Sequence, residues 1–217
     1  MIRLPLILRR PKSRFTYGLI WLPYISLYQL INRFPLFEPR ELPLTALDRA
    51  IPFVPALLSL YVAYIPFFWW TGARSEDDET ANAFFFVTHL QLLVCAIVWV
   101  LFPVTMPRHL YYGVEVYNWA DTFWRWFDAP RNCLPSLHAA NCLLFIHYNW
   151  ERPFRWVHTG IAAAIIASTV LVKQHYVVDL VAGAFVYLLA RLFLANLAAT
   201  QGSTAIEDPD RYAAGPI

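Results

Sequence analysis

Residues 154–199 stay largely apolar for about twice the ~20 residues that one helical crossing of a bilayer takes, and Lys173-Gln174-His175 is the only run of three polar residues that interrupts them. One continuous helix of that length has no membrane to match it. The chain is therefore expected to reverse at the interruption and to deliver two antiparallel spans. The composition agrees. Of 217 residues, 59% are hydrophobic and 15% charged, whereas soluble domains run at roughly 45–50% and 25%. An ordinary soluble domain, a disordered chain and a disulfide scaffold are excluded together. Nine Trp within a 17% aromatic content fit lipid-facing helices flanked by aromatic interface belts.

Six apolar segments can be drawn, at 17–31, 51–70, 84–102, 137–150, 154–172 and 177–199. The expected fold class is all-α: an integral membrane, six-transmembrane-helix bundle forming a single membrane domain over 1–217. Residues 1–16 read as a basic cytoplasmic N-terminus, 17–199 as the six-helix core and 200–217 as a cytoplasmic tail. The basic cluster Arg9, Arg10, Lys12 and Arg14 immediately precedes the first segment, where the positive-inside rule puts cytoplasmic charge. No short apolar run with a small-residue cleavage site follows it, so no signal peptide is expected. A net charge of +2 without a clustered basic face points away from nucleic acid. Cys95, Cys133 and Cys142 fit no zinc spacing; Cys95 and Cys142 read as buried thiols and Cys133 as a loop residue.

The longest loop, 103–134, carries a short amphipathic stretch at 118–128. Trp119, Phe123, Trp126 and Phe127 share one helical face, and Asn118, Asp121, Thr122, Arg125 and Asp128 the other. A short interfacial helix is expected here, anchoring the loop or walling a lipid headgroup site.

Ionisable groups in or beside membrane spans are functional candidates by default. Here they gather at two places. Arg131, Ser136 and His138 stand at the start of the fourth span, and Lys173, His175 and Asp179 at the start of the sixth. The two clusters lie on one membrane face, because the fourth and sixth spans run in the same direction. His175 and Asp179 are four apart, so on a helix the carboxylate can hold one ring nitrogen and leave the other free to attack. Pro135 suits a first helical position, with Ser136 and His138 in the opening turn. Two helix N-termini converging beside Arg131, Lys173 and Arg108 describe a phosphate site.

A His nucleophile, a second His as proton donor and a cationic clamp describe phosphoryl transfer through a phosphohistidine. No metal or other cofactor is expected. A metal site on His138, His175 and Asp179 lacks the clustered histidines of membrane oxygenases. An intramembrane serine protease would want Ser136 in a Gly-x-Ser-x-Gly setting. Mere helix-to-helix bonding does not explain so concentrated a set of polar groups.

The residues that open the fourth span, Pro135-Ser136-Leu137-His138, resemble the Pro-Ser-x-His motif of the type-2 phosphatidic acid phosphatase superfamily. Ser168, His175 and Asp179 are spaced as in that family's Ser-Arg-x5-His-x3-Asp motif, with Thr169 where Arg is usual. The family's Lys-x6-Arg-Pro motif is absent as such, and Arg108 is its best surviving counterpart. Pro-Ser-Leu-His, His175-Tyr176-Val177-Val178-Asp179 and the stretch from Asp48 to Pro55 followed by Tyr61 and Tyr64 are similar to the branch containing inositol phosphorylceramide synthase. The resemblance implies that His175 is the nucleophile, Asp179 its partner and His138 the acid that protonates the leaving alcohol. It implies phosphate-binding roles for Ser136 and Ser168 beside Arg108 and Arg131, with Lys173 replacing the charge lost at Thr169.

The implied activity is a membrane lipid phosphatase without a metal, working on a phospholipid or an isoprenyl or sphingolipid phosphate at the outer face. Two alternatives stay open. One is a lipid phosphotransferase that passes the phosphoryl or phospho-headgroup to an alcohol. The other is a non-enzymatic lipid-binding or transport protein on the same scaffold.

Overall fold

The computed structural model describes residues 21–74, 78–113 and 119–207. The basic cluster at Arg9–Arg14, the start of the first apolar segment, Asn118 and the last residues of the tail lie outside the described residues.

The described chain runs α1 (Leu22–Arg33), β1 (Arg40–Glu41), α2 (Ala46–Ala50), α3 (Leu58–Val62), α4 (Tyr64–Ala73), α5 (Asp78–Leu101), β2 (Val104–Thr105), α6 (Trp119–Phe127), α7 (Leu137–Asn149), α8 (Arg155–Leu171) and α9 (Val177–Glu207). It is mostly helical. The departure from an all-α reading is a two-residue parallel pairing of β1 with β2, Arg40 opposite Val104. The second apolar segment is not one helix: a 3-10 turn at Pro55–Leu57 leads into α3, and α4 begins after a break at Ala63. Pro66 has no N–H to return to the Val62 carbonyl, which weakens helical continuity there. Thr80–Leu101 and Val177–Asn196 are long and apolar enough to cross a membrane, and α8 is a shorter apolar helix.

Polarity is distributed the reverse of a water-soluble protein. Leu93, Ile97 and Leu101 of α5 and Val181, Phe185, Leu188 and Leu192 of α9 are exposed at helical spacing, while Asn82, Gln91, Asn141 and Asn149 are buried. Those buried amides are bonded: Gln91 Nε2 donates to the Ala140 carbonyl at 3.3 Å, and Asn141 Nδ2 to the hydroxyls of Tyr24, at 2.8 Å, and Tyr64. Contiguous exposed apolar stripes mark surfaces that meet something other than water.

α7 is the central helix, packed chiefly on α8 and α9 and also on α5. α7 and α9 come closest at Gly183. A Cβ there would stand 2.4 Å from the Ser136 carbonyl oxygen and 2.9 Å from the Ala139 Cβ, so only glycine admits this approach. The backbone N–H of Ser136 donates to the Asp179 carbonyl at 3.0 Å. The two polar helix starts noted in the sequence thus meet directly.

α6 forms where the aromatic periodicity predicts it, but its buried side differs from the simple aromatic face. Asp121 and Trp124 are buried, whereas Trp119 and Trp126 are 66% and 72% exposed. The carboxylates turn inward because they have partners there: Asp121 pairs with Arg125 at 2.8 Å and Asp128 with Arg108 at 3.3 Å. All three cysteines are buried and free, Cys133 included.

Candidate active site

The start of α9 is assembled from backbone outward. The Thr169 carbonyl accepts the N–H groups of Gln174 at 2.9 Å and His175 at 3.2 Å, closing the turn after α8. Lys173 takes a left-handed conformation there, φ +52°. The residue is 3% exposed, and its ammonium donates to the carbonyls of Asp48 at 2.8 Å and Ile51 at 2.6 Å. Asp48 serves two helices at once. One oxygen closes the capping box of α2 with Thr45, and the other accepts the Val177 N–H at 2.8 Å in the first turn of α9. Burial opposes its charge, yet the bonds from Thr45 and Val177 and the Lys173 ammonium outweigh it and hold its pKa below the usual value. Burial pushes the Lys173 pKa down, against the pull of Asp48.

His175 emerges from this turn with Nδ1 at 3.1 Å from Asp179 Oδ2 and 3.0 Å from the Cys133 carbonyl. Asp179 Oδ2 also accepts the Tyr176 N–H at 2.9 Å. Both acceptors sit on Nδ1, so the proton belongs there and the Nε2 lone pair is left for the pocket. Across from it, Ser136 caps α7 by accepting the Ala139 N–H at 3.3 Å, which sets His138 in the opening turn. The His138 ring stacks on Tyr61 at 4.4 Å, packs against Tyr64 at 4.3 Å and meets His175 edge-on at 5.8 Å between centroids.

The loop side completes a polar pocket lined by His138, His175, Arg108, Arg131, Asp128 and Gln174, among others. Arg108 donates from Nη1 to the Asp128 carbonyl at 3.1 Å and from Nη2 to its carboxylate at 3.3 Å, while its buried Nε has no partner. Arg131 Nη1 reaches the carbonyls of Asn32 and Arg33 at 3.3 and 3.2 Å. Burial raises the Asp128 pKa to about 6 despite Arg108 and a 2.9 Å bond from the Tyr28 hydroxyl. The cavity is small, about 10 Å³, roughly one water-sized probe. An apolar cavity of about 240 Å³ shares Tyr28, Leu137 and His138 with it as lining residues and is also walled by Ile25, Ile65, Phe123 and Phe127.

A family model described as the PAP2 superfamily matches residues 46–193, more than half of the chain. The chain belongs to the PAP2 superfamily. Both motif regions and the Asp48 clamp fall within the PAP2 match. An uncharacterised protein, MJ0662, of Methanocaldococcus jannaschii is 36% identical over 62 residues, covering 28% of this chain and 26% of its own. This PAP2 chain therefore spans about a quarter of that relative's length. No solved structure matches. Proteins of the PAP2 superfamily are typically membrane proteins.

The structure brings together His175, Asp179, His138, Arg108 and Arg131, with Ser136 underneath as the α7 cap. It does not bring Ser168 or Lys173 to the pocket lining. The Ser168 hydroxyl, fully buried, donates to the Ile165 carbonyl of its own helix at 2.6 Å, and Lys173 is spent on the Asp48 and Ile51 carbonyls. Asp128, Gln174 and Asn132 line the pocket although no motif marks them as site residues. Tyr61 and Tyr64, noted in the sequence only within the resemblance, both pack on the His138 ring, one from each side of the break at Ala63. Nothing local in the sequence marks Asp128, because its partner Arg108 is twenty residues away. His109 pairs loosely with Glu41 at 3.8 Å and lies outside the pocket.

Proposed function

We propose that this protein is a metal-independent membrane lipid phosphatase that hydrolyses a phosphorylated lipid through a phosphohistidine. In this reading the six apolar segments cross the bilayer, both termini are cytoplasmic, and the pocket faces the periplasm or lumen. The observation that carries it is the pairing of His175, pinned through Nδ1 to Asp179, with His138 5.8 Å away across a pocket holding Arg108 and Arg131.

In the first step the Nε2 lone pair of His175 forms a bond to phosphorus and the bond from phosphorus to the lipid oxygen breaks. His138 donates its proton to that oxygen, and the alcohol leaves neutral. The imidazolium character that develops on His175 is stabilised by Asp179. Arg108 and Arg131 hold the phosphoryl oxygens, whose charge rearranges in the transition state. In the second step water attacks phosphorus, its proton passes to His138, and the bond to Nε2 breaks to release phosphate.

A phosphotransferase is the second reading, in which the apolar cavity that shares Tyr28, Leu137 and His138 with the polar pocket carries a lipid acceptor hydroxyl. The test uses purified protein in mixed micelles with chelator and a labelled phospholipid, with and without acceptor alcohols. Free phosphate identifies the phosphatase, and label found only on the acceptor identifies the transferase. Absence of either activity across several lipid classes would return the protein to a binding or transport role.

A further inference from the structure

A third cavity, of about 420 Å³, opens at the far end of α7 and lies outside the catalytic chemistry. α7 has 13 residues, so at 1.5 Å per residue the two ends are about 20 Å apart. This cavity is lined by Arg74 after α4, by Asn149 and Arg152 at the α7 exit and by His158 of α8, over a floor that includes Trp70 and Phe145. Among the described residues no carboxylate lines it. Asp78 sits instead in the first turn of α5, where a helix N-terminus favours it.

Three features point to an anion. Two guanidiniums share one concavity. The buried Nδ1 of His158 has no hydrogen-bond partner. The start of α8 is capped by no side chain, with Phe154 in a left-handed conformation as its N-cap, so first-turn N–H groups and the positive end of the helix lie beside Phe154, another lining residue. The rim is aromatic and outward-facing: Trp150, Phe154 and Trp156 are exposed, and Arg155 stacks on both tryptophans at 5.6 and 5.5 Å. Trp and Arg at such a rim fit a membrane interface, and a basic pocket between helices with an apolar floor fits a phosphate attached to a lipid.

We propose that this cavity binds the phosphate group of an anionic lipid on the membrane face opposite the catalytic pocket. The phosphate sits between Arg74 and Arg152, and the lipid backbone rests on Trp70 and Phe145. Arg155, held on its tryptophans, takes no part.

The test reconstitutes the full chain in nanodiscs of phosphatidylcholine containing a minor fraction of phosphatidylglycerol and measures lipid retained after extraction, by native mass spectrometry. The wild type is expected to retain phosphatidylglycerol preferentially. Removing both charges in an Arg74→Gln/Arg152→Gln variant is expected to weaken that retention about 30-fold, by the usual contribution of a basic residue near anionic lipid. Arg155→Gln and the charge-preserving Arg74→Lys/Arg152→Lys variant are expected to keep it, and lipid turnover by the double Gln variant reports an intact fold. A parallel arm adds inorganic phosphate to the detergent-solubilised protein. Phosphatidylglycerol retention that inorganic phosphate does not displace assigns a lipid headgroup, and arginine-dependent binding of inorganic phosphate assigns a free phosphate to the same cavity. A wild type that retains the two lipids equally and binds no inorganic phosphate overturns the proposal, as does Arg155→Gln losing as much as the double variant.

Discussion

On the α9 side of the pocket the charged groups have fixed partners: Lys173 on two carbonyls, Asp48 on the first turns of two helices, and Asp179 through Oδ2 on His175 and the Tyr176 N–H, its buried Oδ1 having none. On the loop side Arg108 has a buried Nε without a partner, and Asp128 is a buried carboxyl whose pKa is raised to about 6. In the proposed mechanism the wall that carries His175 is wired before substrate arrives, and the wall that would face the phosphate holds the Arg108–Asp128 ion pair in place of an external anion. A nucleophile gains from a fixed geometry, whereas a site for a charged group that comes and goes gains from contacts that can be exchanged.

The largest expected effect lies on the wired wall. His175→Ala should abolish turnover, by about 10⁴-fold or more, as loss of the nucleophile does in other covalent mechanisms; phosphate release from labelled lipid measures it, and near-full activity would sink the mechanism. His138→Ala should cost about 10² to 10⁴ on a lipid alcohol but spare phosphoryl-enzyme formation from a substrate with a good leaving group. A rapid-quench burst separates the two histidines, and equal losses on both substrates would remove His138 from the acid's role.

Lys173→Met sharpens the contrast between positioning and binding. It leaves two carbonyls without their buried donor, a loss of about 1–3 kcal/mol, so thermal unfolding should fall by several degrees while KM of the folded fraction changes little. A large rise in KM at unchanged stability would place Lys173 at the phosphate after all.

The smallest effect is expected on the exchangeable wall. As pH falls through about 6, Asp128 takes up a proton and loses its negative charge while Arg108 keeps its positive one. The phosphoryl group should then be held more tightly, so KM should drop a few-fold below pH 6. Asp128→Asn should show the low KM at all pH values and flatten the profile. A raised KM in that variant would show that Asp128 instead holds Arg108 in position. Stability has its own sign: the folded-state pKa of Asp128 lies above its ordinary value, so its ionisation opposes folding, and that destabilisation grows as pH rises from about 4 to 6.

Much of this was readable from the chain. The reversal at Lys173-Gln174-His175, the short aromatic helix and the four-residue spacing of His175 and Asp179 all come from local rules of hydropathy length and helical period, whereas Pro135, expected at the first helical position, and Ser136, expected inside the opening turn, both precede α7, with Ser136 as its N-cap. The fate of Lys173 was not readable, since the carbonyls of Asp48 and Ile51 that consume it are supplied by packing, whereas Ser168 is consumed by the Ile165 carbonyl of its own helix, a local bond open to any mid-helix serine. The inward turn of Asp121 on α6 and of Asp128 just after it has the same character as the fate of Lys173. A helical wheel reports which residues share a face, and says nothing of which face meets lipid.

The order of residues alone dictates that helices form over the apolar segments, that two polar clusters stand at corresponding helix ends, and that a histidine and an aspartate lie within reach of each other at the start of α9, because these depend on neighbours within a turn or two. That the two helix starts touch is a product of packing, through Gly183 and the bond from Ser136 to Asp179. Packing also selects which cations face the pocket and places Asp128 among them, because each of those outcomes joins residues tens of positions apart.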